Sequence, residues 1–241
     1  MAQAAEKFGS GEVEFTTRLT VEIRGVPFQD IPAFQEFIAQ AGLMTGGTGS
    51  LVRPVVSCKG TTCQYGLYDT FDLSEKIHKR FYLGYHQVKL PHKFKIACGG
   101  CPNNCVKPTL NDLGIIGQMV PNLDPDSCND CKKCRVEDNC PMHAARRDEG
   151  EIAIDPNLCN NCGRCIGMCP FDAIEDGVPG FRVYIGGRWG KRWPMDSLLE
   201  KSSPMSRSYW MWWKRRFSFS GSRAVPGSGS PIQLSALALG R

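Results

Sequence analysis

The sequence predicts an α+β fold interrupted by a cysteine-rich module, and three observations carry that reading. A strand-like alternation at Arg18–Arg24 is followed at once by a capped helical stretch at Asp30–Gly42. A second run of strand, loop, helix and strand then leads from Val52 to Ala97. Finally, the segment from Ser127 to Pro170 carries two cysteine runs of similar layout, which makes it a repeated unit of its own.

Each element has a physical reason. Leu19, Val21 and Ile23 alternate with Arg18, Thr20, Glu22 and Arg24, which predicts a half-buried strand. Asp30 is placed to cap a helix with Pro32 in its first turn, Phe34, Phe37, Ile38 and Ala41 as its apolar stripe, and Gly42 as its stop. Gly46–Gly49 reads as a turn before an apolar strand at Val52–Val56. A second helix is expected from Asp72, with Glu75 as capping-box partner, Leu73, Ile77 and Phe81 on one face, and Gly84 as its end. In the short strand Lys93–Ala97, Lys93 and Lys95 share one face while Phe94 and Ile96 share the other.

Composition sets bounds on the chemistry. With 41% hydrophobic residues in 241, the chain can bury a core, and its net charge of +5 is too mild to imply nucleic acid. All 13 cysteines fall between Cys58 and Cys169 in tight groups, a pattern of metal ligation in a reducing compartment. Met1–Gly11 lacks an apolar signal core and no apolar run reaches the roughly 20 residues of a membrane span, so the expected location is cytoplasmic. His78, His86, His92 and His143 form no triad pattern with Asp and Ser, and no glycine loop reads as a phosphate site.

The two runs are Cys128-x2-Cys131-x2-Cys134-x5-Cys140-Pro141 and Cys159-x2-Cys162-x2-Cys165-x3-Cys169-Pro170. Three thiols in one tight loop suit the corners of a [4Fe-4S] cubane better than zinc, which favours two separated Cys pairs. This stretch resembles the two-cluster ferredoxins. The resemblance implies that Cys128, Cys131, Cys134 and Cys169 hold one cluster while Cys159, Cys162, Cys165 and Cys140 hold the other. The gap of five before Cys140 is longer than that pattern's three.

A second set, Cys58-x4-Cys63 and Cys101-x3-Cys105, is compatible by spacing with a third cubane or with zinc. Together with its surroundings it resembles the siroheme-dependent sulfite and nitrite reductases. The resemblance implies a third [4Fe-4S] cluster on Cys58, Cys63, Cys101 and Cys105, with Cys105 bridging to siroheme iron. It implies an anion site at Arg18, Arg53, Lys93 and Lys95, whose guanidinium and ammonium groups suit a small dianion. The family's first spacing is x5, not x4, and Cys98 is an extra thiol expected to be a buried small residue.

The implied fold is a sulfite-reductase-type, ferredoxin-like α+β unit with an inserted two-[4Fe-4S] ferredoxin domain, most similar to small anaerobic sulfite reductase subunits. Residues 12–50 would form the N-terminal half and 51–120 the siroheme and cluster region. Residues 121–178 would form the ferredoxin domain, 179–192 the return strand and 193–241 an atypical tail. Larger members carry two copies of the fold unit, so a homodimer or hetero-oligomer is expected, along with an electron-donor protein or subunit. The expected activity is six-electron reduction of sulfite, with nitrite, or electron transfer without siroheme, as alternatives.

The tail from Trp193 lacks helical or strand period. Reading the codons of Tyr209–Lys214 one base earlier gives Leu-Asp-Val-Val-Glu, an acceptable helical stretch, which predicts a frameshift between Gly190 and Ser203. The rival reading of Tyr209–Phe217 is an aromatic, basic membrane-surface anchor.

Overall fold

The computed structural model describes residues 1–148 and 150–187. The tail, with both its frameshift and its anchor readings, and the last residues of the expected return strand lie outside the described residues. The chain divides into two compact units. One comprises Met1–Val56 with Ser74–Ile96, and the other comprises Ser57–Leu73 with the described residues from Ala97 onward.

In the first unit, helix α1 (Ala2–Phe8) buries Ala4 and Ala5. Its Phe8 meets Phe34 and Phe37 edge-on at 6.0 and 5.6 Å. Strands β1 (Val13–Phe15) and β2 (Val21–Ile23) form an antiparallel hairpin. The expected strand from Arg18 therefore starts three residues late. Thr16 and Thr20 close a turn through their backbones (2.9 Å) and hydroxyls (2.6 Å), which puts Leu19 at φ +60° and leaves it 66% exposed. Alternation in sequence was imitated here by a turn.

Helix α2 (Ile31–Ala39) lies within the expected stretch, with Pro32 in its first turn, Phe34 and Ile38 buried and Gly42 at φ +71° beyond its end, but Asp30 at its N-terminus makes no side-chain capping hydrogen bond. Burying each of these two large apolar side chains contributes roughly 1.5–3 kcal/mol. The apolar run at Val52–Val56 is not a continuous strand. It makes an isolated parallel bridge between Val52 and Phe94, and only Val56–Ser57 forms β3. Helix α3 (Thr70–Ile77) begins two residues before the expected start, because Asp69 caps it by accepting from the Phe71 and Asp72 N–H groups at 3.0 and 2.9 Å. It runs on as a π-helical turn, His78–Leu83, before Gly84.

The main sheet has the order β3-β4-β5-β8, with β4 at Ile96–Gly99, β5 at Leu113–Pro121 and β8 at Gly177–Ile185. β5 and β8 pair antiparallel along nine residues, from Leu113 opposite Ile185 to Pro121 opposite Gly177. Between them the chain makes α4 (Arg135–Asn139) and the hairpin β6 (Ala145–Asp148) and β7 (Glu151–Ile154). Val136, Ala145, Ile152, Ala173 and Ile174 form a small core there.

Candidate functional site

In the ferredoxin-like module the sequence repeat is also a backbone repeat. Asp130 and Asn161, each just before the second cysteine of its run, have φ of +39° and +56°. His143 and Asp172, each three residues after the cysteine of a Cys-Pro pair, have φ of +50° and +60°. Such left-handed turns wrap backbone N–H groups around a point, and Asn, Asp and His are the non-glycine residues that tolerate them best. The long gap before Cys140 is taken up by α4, which fills it with one turn of helix.

Cys140 stands with the second run. It lines one open cavity with Cys159, Cys162 and Cys165, walled by Pro121, Met142 and Ile154. Burial pushes the Cys165 thiol up to about 11, and the charges of Cys159, Cys162 and Cys140 add to the effect. A cationic metal core would offset the repulsion among thiolates gathered this way. Ala144 N–H donates to Cys140 Sγ at 3.2 Å and Asn161 N–H to Cys159 Sγ at 3.4 Å. Cys128, Cys134 and Cys169, of the other expected quartet, pack on the same small core. Arg147 ties Cys131 to this region by donating to its carbonyl at 2.6 Å.

The second quartet sits on two loops of the same unit. Cys58 N–H donates to Cys98 O at 3.1 Å, and a 3-10 turn at Gly60–Thr62 carries the chain to Cys63. This tight turn is how the short x4 spacing is built. It relies on Gly66, where a Cβ would run into the Gly60 carbonyl. Thr70, fully buried, donates to Cys58 O at 2.9 Å and accepts from Thr61 N–H at 3.1 Å. Gly100 N–H donates to Cys58 Sγ at 3.1 Å. Burial raises the Cys101 thiol, and Cys105, Cys58 and Cys63 all add to the rise, so the four expected ligands act on one another. Cys105 is the exposed member of the four.

Cys98 is completely buried on β4, and burial, followed by the charge of Cys58, pushes its thiol up to about 12. Among the described residues no three His, Cys, Asp or Glu side chains are gathered tightly around one point as ligands of a single ion. The donor set, its N–H···S bonds and its mutual electrostatics fit a thiolate-bound cluster.

The four cationic residues belong to the first unit. Arg53 N–H donates to Phe94 O at 2.8 Å, and Phe94 N–H donates to Leu51 O at 3.0 Å. Val52 and Phe94, paired and buried, point to one side, so Arg53, Lys93 and Lys95 take the other. The Arg53 guanidinium donates from Nη1 to Gly47 O, while its buried Nε has no hydrogen-bond partner among the described residues. Arg18 donates from Nη2 to Pro54 O at 3.0 Å and to Ile96 O at 3.5 Å. Spacing gave no signal for Thr70, nor for Arg182 of β8, whose charge lowers the Cys159 thiol against its burial.

Comparison with known proteins agrees with this picture. A family model described as the nitrite and sulphite reductase 4Fe-4S domain matches residues 48–209, and one described as the nitrite/sulfite reductase ferredoxin-like half domain matches residues 1–41. The chain belongs to this family of iron-sulfur oxidoreductases. It is 35% identical over 190 residues to a coenzyme F420-dependent sulfite reductase of Methanocaldococcus jannaschii, covering 78% of this chain and 29% of that protein. It is 30% identical over 159 residues to an anaerobic sulfite reductase subunit of Salmonella typhimurium, covering 58% of this chain and 44% of that one. The chain thus spans less than half the length of either relative. In fold it is similar to the crystal structure of dissimilatory sulfite reductase I, with a TM-score of 0.61 and 20% identity over 96% of this chain and 67% of the other.

Proposed function

We propose that this chain carries out the six-electron reduction of sulfite to sulfide with three [4Fe-4S] clusters and siroheme. The observation that carries the reading is the cationic face of the first unit, where Arg53, beside the Val52–Phe94 bridge that Lys93 and Lys95 flank, keeps a buried Nε with no hydrogen-bond partner among the described residues. A buried guanidinium donor left open this way suits an anionic ligand. The names of the relatives support sulfite as the substrate.

Cys58, Cys63, Cys101 and Cys105 would hold one cubane, and the exposed Cys105 would also help hold siroheme. Cys128, Cys131, Cys134 and Cys169 would hold a second, and Cys140, Cys159, Cys162 and Cys165 a third. When bound, these groups supply the electrons and a metal that binds the substrate sulfur. Arg18 and Arg53 would neutralise the dianion and fix its orientation. Lys93 and Lys95 would donate protons as each oxygen leaves as water. An electron-donor protein or subunit would complete the system; that the Salmonella relative is named as one subunit of a reductase supports a further subunit.

The deciding experiment is anaerobic expression in a host that makes siroheme, followed by a visible spectrum, iron and zinc analysis, and assays with a reduced dye. Macrocycle bands with about twelve cluster irons plus one, and turnover of sulfite above nitrite, are expected. Preferred turnover of nitrite would change the substrate. Cluster absorption without macrocycle bands would leave an electron carrier instead of a reductase.

A further inference from the structure

Tyr68, on the loop between Cys63 and α3, has a buried hydroxyl with no hydrogen-bond partner among the described residues. Its orientation is fixed from several sides. The ring lies on the bare backbone of Gly117, where a Cβ would stand 2.7 Å from a ring carbon. It meets Phe181 edge-on at 4.9 Å and 80°. The preceding residue, Leu67, is tied by its N–H to Gly100 O at 3.0 Å.

A buried donor without an acceptor is costly, and native proteins rarely leave one unmet. Gly117, on which the ring lies, also sits against the Gly100 carbonyl, and Gly100 donates its N–H to Cys58 Sγ at 3.1 Å, so the ring stands beside the Cys58 loop; burial raises the pKa of the phenol. Tyr68 therefore stays protonated and remains a donor. Cys98 is a buried, protonated thiol and a poor acceptor. Cys58 belongs to the quartet assigned above to a cubane, and the sulfur atoms of a cubane are anionic.

We propose that Tyr68 donates a hydrogen bond to a sulfur of the cubane on Cys58, Cys63, Cys101 and Cys105, and so raises the reduction potential of that cluster alone. The inference rests on the assignment of a cubane to that quartet. Reduction adds one negative charge to the cluster, so a fixed donor stabilises the reduced form more than the oxidised form.

Tyr68→Phe removes only the hydroxyl and keeps the ring against Gly117 and Phe181. In the full-length, cluster-loaded protein, potentiometric titration followed by electron paramagnetic resonance should show one of three cluster signals moving to lower potential. The expected change is roughly tenfold in the reduction equilibrium, about 59 mV for a one-electron couple. The other two signals should stay in place. In deuterated buffer, an exchangeable deuteron coupled to the shifted cluster should be present in the parent and missing in the variant. Full iron content with an unchanged potential, or three signals that all move together, would overturn the inference while sparing the cubane. A Cys58→Ser variant that retains every iron of the parent would remove the cubane itself, and the inference with it.

Discussion

At Cys140 the chain makes a choice that side-chain contacts can test. Although Cys140 follows Cys134 in sequence, it lines a cavity with Cys159, Cys162 and Cys165 and accepts the Ala144 N–H at its sulfur. Cys140→Ser should therefore mimic Cys159→Ser, not Cys134→Ser. Each of the first two should lose about four of twelve cluster irons and the same cluster signal, read by iron analysis and low-temperature spectroscopy. Loss of the signal that Cys134→Ser removes would reverse the assignment. The cationic face gives a second test. Lys93→Met with Lys95→Met keeps the stems that flank buried Phe94 while deleting both proton donors. Sulfite turnover should fall by about 10²–10⁴-fold, the range for lost general acids, with the cluster and macrocycle spectrum unchanged. A variant that keeps full kcat would show that the lysines only cover the surface.

Among the elements, legibility followed local chemistry. Helix α2 was readable because Pro32 in its first turn, the Phe34 and Ile38 stripe and the Gly42 stop just beyond its end are all local signals. The hairpin was misread at Leu19 because a threonine-closed turn can carry the same alternation as a strand. Strand β5 gave little signal, since Gly114 and Gly117 occupy positions where a strand pattern needs side chains. Those glycines make way for neighbours. At Gly117 a Cβ would lie 2.5 Å from Gly100 O and 2.7 Å from the Tyr68 ring, and neither the backbone nor the wedged ring can yield freely. Gly117→Ala should cost about 1–3 kcal/mol, as overpacking does, measured by denaturant unfolding of the loaded protein. The cysteine runs stand out by their spacing, and their grouping into quartets came from the family resemblance, whereas Tyr68, Thr70 and Arg182 reach the cysteines through folding and leave no trace in the spacing. The π-helical turn adds a pH test. His78 lies against Tyr82 at 4.5 Å with the rings tilted by 31°, and burial lowers its pKa. The unfolded chain therefore binds this proton more readily, so stability should fall as pH drops through the ordinary histidine range near 6.5. His78→Phe should flatten that part of the stability profile. A profile identical to the parent's would exclude His78 as its source.

Across the whole molecule, the two units are stabilised by different means. The first has an apolar cluster of Ala4, Phe34 and Ile38, backed by Phe8, Ile23, Val26 and Phe37, with no cysteine in it. The ferredoxin-like module has Val136, Ala145, Ile152, Ala173 and Ile174, two of them only alanine, and much of what packs around them is Cys128, Cys134, Cys140, Cys165 and Cys169. So small an apolar core cannot offset the conformational entropy of ordering several loops, and thiolate–metal bonds have to supply the difference. Oxidative removal of the clusters in the presence of a chelator should abolish hydrogen-exchange protection in the β6–β7 hairpin, read amide by amide. Protection in α2 should persist, because nothing it packs on is a ligand. If the hairpin kept its protection after every iron was gone, the small core would be sufficient by itself, and the clusters would serve electron transfer without serving stability.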